Sequence, residues 1–192
     1  IRIVYPNQYN GDSHGSNKFN FLDDIIAGWI GVGSQLDGLG HAATDGVFYN
    51  GNLARDFAKV DGVTKFGMED LPPIVARGVL LNMASCMGKD MLPEGTPYTR
   101  EDIAACEKKQ GVSIEKGDVV LFHTGAMAAH GDSTELMATH PGLGVEGANY
   151  LADLGVVAIG ADTPALEAIP FENEARPFEV HQTLLAKRGV YI

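Results

Sequence analysis

Positive charge is scarce in this sequence. Lys and Arg together number 14 against 25 Asp and Glu, which leaves a formal net charge of -11. No basic cluster occurs, so neither a nucleic acid nor an anionic membrane surface is expected as a partner, since both are recognised through grouped cations. Long hydrophobic runs are missing too. Nothing approaches the roughly 18 uninterrupted apolar residues of a membrane span. At the N-terminus, Ile1-Arg2-Ile3-Val4-Tyr5-Pro6-Asn7 has no basic segment leading into an apolar run; no signal peptide is read there, and a cytoplasmic protein is expected. Cysteine is rare. Cys86 and Cys106 have neither CxxC spacing nor a third thiol nearby, and reduced structural thiols are expected rather than a disulfide or a zinc knot.

Several catalytic signatures are also absent. The six histidines, at 14, 41, 123, 130, 140 and 181, form no HExxH, and no two of them lie four residues apart as on a zinc-binding helix. There is no GxSxG. Gly31, Gly33 and Gly38 do not make a GxGxxG fingerprint, which argues against nucleotide binding.

What remains is the make-up of an ordinary globular chain: 192 residues, 45% hydrophobic and 20% charged, enough for a sizeable core. Without repeats or low-complexity linkers, residues 1–192 read as one domain, incomplete at both ends. Residues 6–20, rich in Asn, Gly and Ser, read as an irregular loop. The glycine-studded apolar stretch from Ile25 to Leu36 predicts a buried strand, and a second is expected over 74–81 after Pro72-Pro73. Thr99 is placed to cap a helix whose first turn is acidic and which Gly111 stops after Lys108-Lys109. A strand is expected over 117–125, a helix from Val145 to Leu154 ended by Gly155, and a buried strand over 156–162. Another helix is expected over 180–187, with a final strand starting at Val190. Alternating helices and buried strands predict an α/β fold, a mixed sheet flanked by helices.

Chemistry-bearing residues gather in Gly33-Ser34-Gln35-Leu36-Asp37-Gly38-Leu39-Gly40-His41. On an extended strand Gln35 and Asp37 project from one face. A carboxylate, an amide oxygen and an imidazole four residues on are suited to a divalent cation or to orienting a water. Spacing alone does not separate this from the Asp and His of an ordinary glycine-rich turn. Elsewhere, His123 lies in an apolar strand and reads as a core histidine. His140, before Pro141, reads as structural, and His130, beside Gly131-Asp132, as an exposed loop residue. His14 is a candidate lid residue lining a substrate pocket. Asp162 either orients a site residue or caps the following turn. Phe48 and Tyr49, with Trp29, are candidates for an aromatic wall against a planar substrate, with the core favoured for Trp29.

Gly33 to His41, followed by Asp45-Gly46-Val47-Phe48-Tyr49-Asn50-Gly51, resembles the signature HxGTHxDxPxH of the cyclase family, which includes bacterial kynurenine formamidase and isatin hydrolase. Asp118-Val119-Val120-Leu121-Phe122-His123-Thr124-Gly125 resembles the central strand of that family. His140-Pro141-Gly142-Leu143-Gly144, Ala161-Asp162-Thr163-Pro164 and Phe178-Glu179-Val180-His181-Gln182-Thr183-Leu184-Leu185 resemble later landmarks, in the same order. The resemblance implies a compact β/β/α fold and a metal-dependent hydrolase of cyclic or linear amides (the lactam, lactone or formamide class), usually dimeric or tetrameric. It further implies that Asp37 and His181 are metal ligands and that His41 transfers protons while an activated water attacks the carbonyl.

Two departures from the signature stand out. Its first histidine falls on Gly31 and its second on Gln35, while Ser34 replaces Thr; a further glutamate ligand is expected just past Ile192. Asp37, Gln35 and His181 make an oxygen-rich set, which suits one divalent ion, Mn or Zn, with Mg also possible. The rival reading is a catalytically inactive member kept as a small-molecule-binding or oligomerisation domain, which Gly31 and Gln35 favour.

Overall fold

Residues 2–4, 15–19, 23–25, 28, 31, 33–131 and 133–192 are described by a computed structural model. The chain divides into two units, Ile1–Gln35 and Leu36–Ile192. In the first unit β1 (Arg2–Val4) pairs antiparallel with β2 (Asp23–Ile25), Ile3 standing opposite Asp24.

The second unit opens with short elements. β3 (Val47–Phe48) and β4 (Asn52–Leu53) form an antiparallel ribbon around a 3-10 turn, Tyr49–Gly51. α1 (Ala54–Phe57) then leads into a second ribbon, β5 (Ala58–Lys59) with β6 (Gly62–Val63). Its main sheet follows: β7 (Gly78–Asn82), then α2 (Met83–Cys86), the short β8 (Pro97–Tyr98), α3 (Arg100–Gln110) and β9 (Val119–His123). Beyond β9 come α4 (Ala126–His130), α5 (Thr134–Ala138), β10 (Gly142–Leu143), α6 (Val145–Leu154), β11 (Ala158–Ala161) and α7 (Glu179–His181), which continues as a π-helix over Gln182–Arg188.

β7, β9 and β11 pair in parallel with β9 central, and β8 pairs in parallel with β10. The expected α/β class, with helices flanking sheets, therefore holds. Both pairing senses occur among the described strands, parallel in the three-stranded sheet and in β8–β10, antiparallel in the ribbons. Period-two alternation explains its core. Val79 and Leu81 of β7 and Val120 and Phe122 of β9 are buried, and they share one apolar cluster with Ile159, Ile103 and Cys106 of α3, Leu151 of α6 and Leu184. Burying each such side chain contributes about 1.5–3 kcal/mol. The alternate positions face outward: Leu80 and Leu121, paired in register, are 57% and 43% exposed.

Helix ends are where local sequence chemistry shows most clearly. Thr99 accepts from the Asp102 N–H, the Asp102 side chain accepts from the Thr99 N–H, and Gly111 ends α3 in the left-handed region at φ 68°. Gly155 ends α6 in the same way, at φ 82°.

Other expectations are corrected. Among the described residues of the stretch from Ile25 to Leu36, only Ile25 lies in a strand, at the end of β2; Gly28, Gly31 and residues 33–36 lie outside any strand, and 33–36 are exposed. Gly33 adopts φ 75°, a conformation that breaks an extended run. Gln35 and Asp37 thus do not share a strand face. Residues 74–77 precede β7 without joining it, and Val75 is 94% exposed. The final strand reduces to a parallel bridge between Tyr191 and Ala158. The cysteines are not free thiols. α2 packs on α3, the Cα atoms of Cys86 and Cys106 come within 5.4 Å, and the sulfurs are joined at 2.14 Å. His130 is not an exposed loop residue; it ends α4 with its side chain 24% exposed, between Glu94 and Glu135. Among the described residues no helix is long and apolar enough to cross a membrane.

Candidate metal centre

Asp37 lies in a segment without regular structure, so something other than secondary structure must hold it. Its backbone N–H donates to the Ile192 carbonyl at 2.7 Å. Ile192 follows Tyr191, whose carbonyl accepts from the Ile159 N–H at 2.9 Å. The edge of the main sheet thus anchors the Asp37 backbone. His41 is brought back toward the same carboxylate by a tight turn, its N–H donating to the Gly38 carbonyl at 2.9 Å. His41 Nε2 then stands 3.5 Å from Asp37 Oδ2. A Cβ at Gly38 would lie 2.5 Å from Met68 Sδ, so a larger residue in this turn displaces that flexible side chain.

His181 comes from the last helix. Phe178, at φ 56°, turns the chain into α7, and its ring meets the His181 ring edge-on at 5.3 Å. The His181 side chain is 10% exposed, and its Nε2 lies 3.8 Å from Asp37 Oδ2. The two imidazoles stand 6.0 Å apart between centroids. One donor atom from each of Asp37, His41 and His181 lies within 4.8 Å of the others. Asp37 and His181 are well covered, whereas the His41 side chain is 53% exposed.

A fourth residue supports the group. Glu167, 4% exposed, accepts from the Val180 N–H at 3.2 Å, the His181 N–H at 3.1 Å and His181 Nδ1 at 2.5 Å. A neutral imidazole that donates to Glu167 at Nδ1 leaves Nε2 bare, and that nitrogen faces the Asp37 carboxylate oxygen. A cation between the two satisfies both, so the residues present fit a divalent metal ion. The atoms brought together are one carboxylate oxygen and two imidazole nitrogens, with His41 close to the pair that the resemblance names as ligands, Asp37 and His181.

A cavity of about 170 Å³ adjoins the turn at Gly38 and is lined by Leu39, Phe66, Met68, Asp70, Leu71 and Tyr191. Phe66 is held in the left-handed region, φ 64°, with its ring edge-on to Phe57 at 5.5 Å. Phe48 packs on the other side of this contact, edge-on to the buried Phe57 at 5.0 Å, and half-buried Tyr49 sits in the adjoining 3-10 turn. Gln35 closes the first unit with its side chain exposed. His14 and Trp29 lie outside the described residues.

None of the other described histidines joins this donor group. His123 ends β9 with its side chain 42% exposed, 3.9 Å from Asp162 and 3.3 Å from Asn82, so it is not a core residue. Asp162 caps the turn after β9, accepting from the Thr124 N–H and hydroxyl and from the Gly125 N–H. His140 is fully buried, with Nδ1 3.0 Å from the Pro141 carbonyl, and burial holds its pKa below the ordinary imidazole value. Sequence reasoning missed Glu167. The available signal was a lone charge inside the run Pro164-Ala165-Leu166-Glu167-Ala168-Ile169-Pro170, since a buried Glu needs a partner.

Residues 4–168 match a family model described as "Putative cyclase". Comparison with curated proteins finds no match. Among solved structures, the chain is similar to one reported as a novel cyclase, at 28% identity and TM-score 0.78, covering 95% of this chain and 60% of that one. It is also similar to an isatin hydrolase bound to the product analogue thioisatinate, at 21% identity and TM-score 0.52 over 70% of this chain and 51% of that one. A third similar structure, isatin hydrolase A from Labrenzia aggregata bound to benzyl benzoate, has 18% identity and TM-score 0.52 over 99% of this chain and 78% of that one. The chain spans 60% of the length of the cyclase structure it resembles. With the family model matched over most of its residues, this chain belongs to the cyclase family.

Proposed function

We propose that the protein is a metal-dependent hydrolase of a small cyclic or linear amide, of the lactam, lactone or formamide class. The observation that carries this reading is the convergence of Asp37, His41 and His181 donor atoms within 4.8 Å. Two solved structures with the same fold are isatin hydrolases, and isatin is a cyclic amide. In this reading Asp37 and His181 hold one divalent ion, Mn or Zn, with Mg the third option. Such an ion, when bound, polarises a carbonyl and acidifies a water.

The protein's own residues supply the rest. His41, the most exposed of the three, takes up and returns protons at Nε2, where Asp37 Oδ2 orients it from 3.5 Å. The cavity beside Gly38, the residue that follows Asp37, takes the apolar body of the substrate. An apolar cavity of roughly 150 Å³ accepts a benzene-sized molecule, so a single ring suits this one.

The test is a titration of Mn and Zn into wild-type protein, Asp37→Ala and His181→Ala, followed by an assay on amides, lactams, lactones and formamides. Micromolar binding by wild type, weakened at least about tenfold in both variants along with any hydrolysis, supports the proposal. No binding of either metal at micromolar concentration by wild type sinks it. Binding of small molecules by metal-free protein, unchanged in Asp37→Ala, turns the reading toward a non-catalytic binding domain.

A further inference from the structure

We infer that Glu167 is a positioning residue that sets the tautomer of His181 and so keeps Nε2 ready as a metal donor. This rests on the metal-site reading above and adds a residue to it. A neutral imidazole has one N–H, and a carboxylate that accepts it at one nitrogen leaves the other nitrogen bare. Glu167 Oε1 takes His181 Nδ1 at 2.5 Å, and His181 Nε2 is the nitrogen that faces Asp37 Oδ2 at 3.8 Å. Capping the helix turn needs only the two backbone amides of Val180 and His181. The contact to the ring is additional, and it acts on the one side chain of that turn that enters the donor group.

Glu167 is itself held as a fixed reference. The Leu143 N–H donates to the Leu166 carbonyl at 2.8 Å on one side, and His140 and Ile169 exchange backbone hydrogen bonds of 2.9 and 3.0 Å on the other. Gly142 lets the two segments close up, since a Cβ there would stand 2.1 Å from the Glu167 carbonyl carbon. A buried carboxylate on a pinned backbone, spent on one imidazole nitrogen, is the arrangement that orients a ligating histidine and raises its basicity.

The experiment compares wild type, Glu167→Gln and Glu167→Ala. Nitrogen NMR of the His181 ring, assigned by its loss in His181→Ala, reads the tautomer in metal-free protein. Calorimetric titration with Mn and Zn reads affinity. Wild type is expected to carry its proton on Nδ1. Glu167→Gln keeps an acceptor oxygen and with it the tautomer, while losing the charge and about tenfold in affinity; Glu167→Ala shifts the proton toward Nε2 and loses about 10–100-fold. A wild type protonated at Nε2, or a folded Glu167→Ala with unchanged tautomer and affinity, overturns the inference. If Glu167→Ala does not fold, the wild-type tautomer and the Gln variant still decide. Wild type that binds neither metal overturns the metal-site reading, whereas the tautomer, measured without metal, separately decides whether Glu167 sets it.

Discussion

Nε2 of His181 faces Oδ2 of Asp37 across 3.8 Å. The two groups come from opposite ends of the second unit, one on an irregular loop and the other on a helix. Asp37 is tethered through its backbone to Ile192, and His181 is oriented through its ring by Glu167. The site is therefore set by its supports before any ligand enters, which is the condition for preorganised chemistry.

Replacing the exposed histidine separates holding from proton transfer. His41→Gln is expected to lower kcat by about 10²–10⁴-fold, with metal affinity falling less than in His181→Ala. Steady-state kinetics on the amide identified in the screen, set beside metal titrations of both variants, measure the split. Equal loss of metal in the two variants would make His41 a ligand instead.

Gly38→Ala tests the wall between the turn and the cavity. The new Cβ would stand 2.5 Å from Met68 Sδ, and the flexible methionine is pushed into the space the substrate needs. KM is expected to rise several-fold with kcat little changed. Combining it with Met68→Ala removes the clash and restores KM, a coupling that a double-mutant cycle quantifies.

Gly142→Ala tests the mount beneath Glu167. A Cβ there meets backbone atoms at 2.1 to 2.4 Å, which cannot rotate away as a side chain does. The expected cost is about 1–3 kcal/mol or more, read from urea unfolding. Metal affinity in the protein that remains folded falls as well.

Acid sensitivity follows from Asp118 and Arg77. The Arg77 guanidinium donates through Nε at 2.9 Å and Nη2 at 2.7 Å to the buried Asp118 carboxylate, and the Glu115 N–H adds a third bond. The Arg77 hydrogen bonds hold the Asp118 pKa below the ordinary carboxylate range. Because the folded value is the depressed one, the stabilisation is present above the unfolded pKa of about 3.9 and is lost as pH falls through the folded value. Asp118→Asn is expected to lower Tm by several degrees at pH 7. The gap to wild type closes progressively as the pH drops below about 4. Thermal melts across that range check the sign; a gap that widens in acid refutes it.

The elements written in local chemistry were legible in the sequence. α3 and α6 are bounded by residues whose own side chains or glycine backbones make the caps, Thr99, Gly111 and Gly155 among them. β9 and β11 announce themselves as apolar runs after helix stops. The end of the expected strand, residues 33–36, misled, because glycine within an apolar run reads as close strand packing when Gly33 in fact turns the chain. Asp37, His41 and His181 were named through a family signature, not through spacing, since their meeting depends on the Asp37–Ile192 backbone bond. Glu167 and the Cys86–Cys106 bridge depend on which segments pack together, and one-dimensional spacing carries none of that.

Tyr191 and Ile192 carry two duties on different atoms. Their backbones extend the sheet edge and hold Asp37, while Tyr191 also lines the cavity beside Gly38. Anchorage and selectivity are thus uncoupled at neighbouring positions. Exchange of the side chain at 191 leaves the backbone hydrogen bonds that tether Asp37 in place, so the cavity lining can vary without rebuilding the donor group.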